Sequence, residues 1–258
     1  MPCPLLTISN LAKGIHSFLG HPKWRKDFHN RFYANVTAAV KSTGSVLGPS
    51  AGAYKTAGYY GPTAWHDIVF ELWYWRALRP HPTAFFHPHP LLVPFNATYA
   101  HIGGGLPYRP LPVANSPQTQ LSNLFTAATA LKPVATASAV FPSKCCHMLL
   151  PWEFPIWDNQ FAGKTGTTRK KMLEALEGWK CIDQETRQKL TTCLKAKHPD
   201  YWCYRYFILL SWDTLPIAQQ TVLINRLNAA ILAAPAPLGV KPWTHFPYRT
   251  KIPELCLA

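Results

Sequence analysis

The chain has 258 residues, 48% of them hydrophobic, and sets 26 Lys and Arg against 12 Asp and Glu for a formal charge of +14. That length and apolar content exclude a disordered tail and suffice for a sizeable core, as one large domain or as two lobes sharing a cleft. A cationic excess spread along the sequence favours a polyanionic partner; nucleic acid is the commonest, with a membrane surface or an acidic protein as the rivals.

Residues 22–43 (PKWRKDFHNRFYANVTAAVKST) open with Pro and carry Trp24, Phe28, Phe32 and Val36 at helical spacing, which predicts the first substantial helix. Residues 44–61, rich in Gly, Ser, Ala and Tyr, suit an exposed loop. The stretch 62–79 (PTAWHDIVFELWYWRALR) is again helical, with Pro62 at its start and Pro80 beyond its end. Residues 80–114 hold His81, His87, His89 and Gly103-Gly104-Gly105 among many prolines, and are expected to form a long irregular insertion. Helices are predicted near 116–131, 142–150, 167–179, 183–197, 200–212 and 216–233, followed by an extended tail over 234–258. Alternation of period two is scarce, so a mainly α fold is expected, built as a single unit over 1–258.

The seven cysteines (Cys3, Cys145, Cys146, Cys181, Cys193, Cys203 and Cys256) are odd in number, lack a C-x-x-C pair and fall mostly in apolar helical patterns. They read as reduced thiols. No apolar run reaches the ~18 residues of a membrane span, and no leader pattern is evident, so a soluble cytoplasmic protein is expected. The loop histidines lack a Cys or acid at ligand spacing; no metal or cofactor is expected.

Gly163-Lys164-Thr165 has the ending of a phosphate-binding P-loop, but Asp158 stands where that motif demands Gly. What remains is GKTGTTRKK, residues 163–171. Lys164, Thr165, Thr167, Thr168, Arg169, Lys170 and Lys171 would form a seat for DNA phosphates if Thr167 or Thr168 caps the following helix and its free amides face the same way as the cations. A solvated basic helix start is the plainer reading. Tyr54, Tyr59 and Tyr60 interleave with Gly and Lys in the 51–62 loop, as rings that stack on bases do. The run 201–207 (YWCYRYF) reads better as a core helix. Arg76 and His81 match the Arg-x4-His spacing of HEPN ribonucleases, although Pro80 would break the helix that normally bears it.

The most informative stretch is 143–159, SKCCHMLLPWEFPIWDN. Ser143 is expected to cap a helix starting at Lys144 and ending before Pro151. The chain then turns through 152–155 and reaches Asp158 directly after Phe154, Pro155, Ile156 and Trp157. An acid in such company is either a helix cap or a working group, because desolvating a carboxylate is costly.

Ser143-Lys144 followed by Phe154-Pro155-Ile156-Trp157-Asp158 resembles the helix-hairpin-helix DNA glycosylase superfamily, in particular its divergent bacterial members with an oxoguanine-glycosylase-like fold. The likeness covers about 25 residues. It departs from the family in lacking the Leu-Pro-Gly-Val-Gly hairpin before Lys144, in its short Lys-to-Asp separation of fourteen, and in lacking a four-cysteine iron–sulfur pattern. The resemblance implies two helical lobes around a cleft and double-stranded DNA as partner. It makes Asp158 the catalytic acid and Lys144 a second catalytic candidate, as amine nucleophile or phosphate contact, with Trp157 beside the base pocket or wedge. The expected product is an abasic site. Some relatives of this kind remove glucosylated hydroxymethylcytosine from phage DNA, and the long insertion suits a bulky base. The alternatives are a non-catalytic DNA-binding protein and a HEPN-like ribonuclease using Arg76 and His81.

Overall fold

The computed structural model describes residues 2–20, 118–132, 138–150, 152–157, 167–179, 182–195, 201–233 and 247–257, with the isolated positions 72, 77, 91, 94, 95, 97 and 98. Among them stand eight helices and no strand: α1 (Ile8–Gly20), α2 (Gln118–Ala130), α3 (Val140–Leu149), α4 (Thr167–Gly178), α5 (Gln184–Lys195), α6 (Tyr201–Asp213), α7 (Ile217–Ala233) and α8 (Tyr248–Leu257). The mainly α expectation holds. The six helices predicted between 116 and 233 appear as α2–α7 with ends shifted by one or two residues. The helices expected at 22–43 and 62–79, the Gly/Tyr loop and most of the 80–114 insertion lie outside the described residues. Within that insertion Pro94, Phe95, Ala97 and Thr98 are helical and Phe95 is fully buried, so irregularity does not extend through it.

The chain divides into two compact units, Met1–Asn30 with Trp157–Ala258, and Arg31–Ile156. The first contains α1 and α4–α8. Its centre is α8, which packs on α1, α4, α6 and α7. Seven of its ten residues are buried, from Thr250 to Leu257 with Glu254 half-buried. The expectation of an extended tail over 234–258 is corrected here. Pro247 and Pro253 suggested extended chain, but the Pro247 carbonyl accepts the amides of Thr250 (3.2 Å) and Lys251 (2.9 Å) and starts a helix whose apolar surface is wanted on every side. The largely buried Lys251 ammonium meets Glu254 at 2.7 Å. Arg249 grips Asp213 at the end of α6, donating through Nε to Oδ1 at 2.8 Å and through Nη2 to Oδ2. The Tyr248 hydroxyl donates to Asn228 of α7 at 2.8 Å, and burial holds its proton more tightly, raising its pKa above the ordinary value.

The first helix is α1, not a segment beginning at 22. Thr7 caps it by accepting the Asn10 amide at 3.1 Å, and Leu11 and Ile15 form its buried stripe. Gly14 allows its backbone to lie against α8. At α5, the exposed Asp183 accepts the Thr186 amide at 2.7 Å and its hydroxyl at 3.0 Å, which holds the carboxyl below its ordinary value. Arg187 on the same helix reaches back to the end of α4 and donates to the carbonyls of Leu176, Glu177 and Trp179. One guanidinium thus serves acceptors that the end of a helix leaves without amides. Trp179 is fully buried edge-on to Phe207, and among the described residues its indole N–H has no hydrogen-bond partner.

Cys203 is held in a disulfide, which corrects the expectation of reduced thiols at that position. Cys3, Cys145, Cys146 and Cys256 are buried thiols. No single helix among the described residues is long and apolar enough to cross a membrane; α6 and α7 together have the composition but meet at a bend of 106°.

Candidate functional site

In the second unit α2 packs against α3. The start of α3 differs from the sequence expectation. Ser143 does not cap it: the N-cap is Ala139, Ser138 Oγ accepts the Val140 amide at 3.3 Å, and Ser143 Oγ donates to the Val140 carbonyl at 3.1 Å from inside the first turn. Pro142 lies inside the helix, at its third position. It is accommodated because the third helical position has no amide to contribute to the ladder.

From Phe141 to Cys146 every residue of α3 is buried, and so is His147. A helix enclosed all round selects apolar side chains, yet this one carries Lys144 at 3% and His147 at 1% exposure, one turn apart on the same face. Glu153, also fully buried, follows in the turn. Three ionisable side chains thus lie buried within ten residues, which is tolerated only where hydrogen bonds or opposite charge compensate.

The turn has defined geometry. Leu150 ends α3 with its amide on the Cys146 carbonyl at 2.8 Å, while its own carbonyl accepts the amides of Glu153 (2.9 Å) and Phe154 (3.0 Å). His147 Nδ1 lies 2.7 Å from the Phe154 carbonyl. A carbonyl only accepts, so Nδ1 carries the hydrogen in this bond. The Phe154 ring stacks on Phe125 of α2, with centroids 6.5 Å apart and planes 13° from parallel. Sequence reading missed His147 and Glu153. The spacing of Lys144 and His147 on a helix otherwise buried was the available signal.

Trp157 belongs to the first unit. It is 5% exposed and stands edge-on to Tyr204 at 5.0 Å and to Tyr201 at 6.2 Å. This ring is therefore a core contact of α6 in the present structure and not a side chain held out as a wedge. The reading of 201–207 as a core helix is borne out by buried Tyr201, Tyr204 and Phe207. Arg205 is buried beside them and lies over the Trp202 ring at 5.6 Å, a second cation that sequence reading left unassigned.

Of the expected phosphate seat, the α4 backbone begins at Thr167 as anticipated. Lys170 is exposed, with Glu174 at 3.7 Å. Lys171 differs from expectation: its ammonium donates to the Leu257 carbonyl at 3.1 Å and so supports the end of α8. A helix end attracts a cation because its last carbonyls concentrate negative charge. Asp158, Lys164, Thr165, Tyr54, Tyr59 and Tyr60 lie outside the described residues, as do Arg76 and His81; of Thr167, Thr168 and Arg169 the backbone alone is described. Among the described residues no group of three His, Cys, Asp or Glu could hold a metal ion.

No protein-family model, curated protein or solved structure matches the chain. Its function is accordingly argued from these residues.

Proposed function

We propose that the protein is a DNA glycosylase that hydrolyses the N-glycosidic bond of an extruded base, with Asp158 as its acid. The observation that supports this best is the bond from His147 to the Phe154 carbonyl, which fixes the turn four residues before Asp158 on a helix that also buries Lys144. A fixed turn of this kind is what a carboxylate needs if it is to meet a sugar reproducibly. The charge of +14 suits a DNA partner.

In this reading the bond between C1′ and the base nitrogen breaks, the base leaves with the electron pair, and positive charge develops on the deoxyribose. The Asp158 carboxylate stabilises that charge and accepts a proton from the water that attacks C1′. An abasic site remains. Extrusion of the nucleotide requires a cationic face and aromatic surfaces, roles given to Lys170, the 163–169 segment and the tyrosines of the 51–62 loop. Lys144 is the secondary group. A cytoplasmic, anti-phage role on DNA bearing glucosylated hydroxymethylcytosine is the substrate proposal.

The test is to incubate the protein with duplexes carrying ordinary, oxidised or glucosylated-hydroxymethyl cytosine and to score alkali-labile sites. Base release by the wild type and none by Asp158→Asn, with DNA binding retained, is the expected result. Salt-dependent binding with no abasic product from any duplex would replace the enzyme with a DNA-binding protein.

A further inference from the structure

Helix α7 is attached to its unit by a narrow stripe, Leu223, Leu227 and Ile231, all buried and each four residues apart. Gln220, Ile224, Asn228 and Ala230 flank it half-buried, and the opposite side of the helix faces outward. A surface helix ordinarily fills that side with charges, yet among the seventeen residues of α7 only Arg226 is charged. Its outer face carries Ile217 at 80%, Val222 at 49% and Leu232 at 62% exposure, with Ala218, Asn225 and Ala229 exposed between them.

The order of these residues is regular. Ala218, Val222, Asn225, Ala229 and Leu232 are separated by four, three, four and three positions, the spacing of a heptad seam. They lie on the side of α7 away from the buried stripe. Sequence reading took 216–233 as one more helix and did not distinguish its two faces.

We propose that this face pairs with the same face of a second copy of the chain, the two α7 helices running antiparallel about a two-fold axis. The sequence along the seam is self-complementary in that direction. With the axis between Asn225 and Ala229, Val222 of each copy meets Leu232 of the other, and each Asn225 meets a small Ala229 that leaves room for its amide. The same patch thus serves both partners, as a two-fold interface requires. Charge points to the same occupant. Two chains of +14 repel, and a face with a single cation allows them to approach without stacking like charges. That near-neutral face offers nucleic acid little, and its small residues and central Asn offer a bilayer little apolar depth. A helix of this length is about 25 Å long, and one such pair buries less than the ~1,200 Å² at the low end for stable complexes. The dimer is weak and needs protein at tens of micromolar or more, by the order of magnitude such small contacts reach.

The full chain is to be followed by sedimentation velocity from about 1 to several hundred micromolar, an interval that brackets a weak dimer. A concentration-dependent shift from monomer to dimer is expected for the wild type, lost in Leu232→Lys and in Val222→Lys and retained in Gln219→Lys. Circular dichroism identical to wild type shows that the seam variants fold. Val222→Cys and Leu232→Cys proteins, mixed under mild oxidation, should cross-link to each other more than either does to itself, above the background of the native thiols. A monomer at every concentration overturns the proposal, as does dimerisation that survives Leu232→Lys. Preferential self-cross-linking of Val222→Cys would overturn the antiparallel pairing. A monomer that instead sediments with phosphatidylcholine vesicles would assign the face to a membrane surface and also overturn it.

Discussion

Gly14 of α1 lies directly against Leu255 of α8: a β-carbon at position 14 would stand 1.9 Å from the Leu255 carbonyl oxygen and 2.6 Å from its carbon. Both obstacles are backbone, so neither can rotate away. Alanine at this position gains about 1 kcal/mol of helix propensity, but separating two packed helices costs more, about 1–3 kcal/mol for overpacking of this kind and more if α8 shifts. Gly14→Ala is expected to lower the urea midpoint, whereas Gly→Ala at an open helical position would raise it.

His147 and Phe154 give a second prediction. Replacing His147 with Leu keeps the bulk but leaves the buried Phe154 carbonyl without this donor, at roughly 1–3 kcal/mol. The variant is expected to lose that stability in urea denaturation and to show faster amide exchange at Glu153 and Phe154. Unchanged exchange at those two amides would mean that the Leu150 carbonyl alone holds the turn.

Arg187 serves three carbonyls at the end of α4. Arg187→Met retains the stem and removes all the donors, and is expected to cost about 1–3 kcal/mol, with the loss localised by hydrogen exchange to the last turn of α4. Lysine should recover only part of it, since one ammonium cannot span the acceptors that a planar fork reaches.

The thiols predict how stability varies with alkali. Burial pushes Cys3 up to about 11 and Cys256 up to about 12, from an ordinary value of 9.0. Below pH 9 both states keep their protons, so this contribution is fully present. Above it the unfolded chain ionises while the folded chain does not, and each thiol removes roughly 1.4 kcal/mol per pH unit until its folded value is reached. Urea midpoints should therefore fall between pH 9 and 11, and the fall should be shallower in the Cys3→Ala/Cys256→Ala double variant.

Helices α2–α7 were legible because their apolar residues recur at helical spacing between Pro and polar breaks. Two elements were not. In α8, burial all round erases the periodicity that marks a one-sided helix, and Pro253 inside it argued for extended chain. In α1 the signs were present in Thr7, Asn10, Leu11 and Ile15, and the segment was passed over for the aromatic pattern at 22–43. Lys144 was singled out by its place in a motif, while the buried His147 and Glu153 were not, since no local pattern marks a polar side chain as buried. Lys171 was read from charge alone. Its ammonium is used by the Leu257 carbonyl, a contact between positions 86 residues apart that no local pattern contains.

The seating of α8 against α1 bears on how the protein is made. Translation produces α1 long before residues 248–257 emerge from the ribosome, and until then the backbone of Gly14 lacks the surface it closes upon. The Arg31–Ile156 segment is complete in the nascent chain well before that point, so α1 stays uncovered by α8 throughout its synthesis.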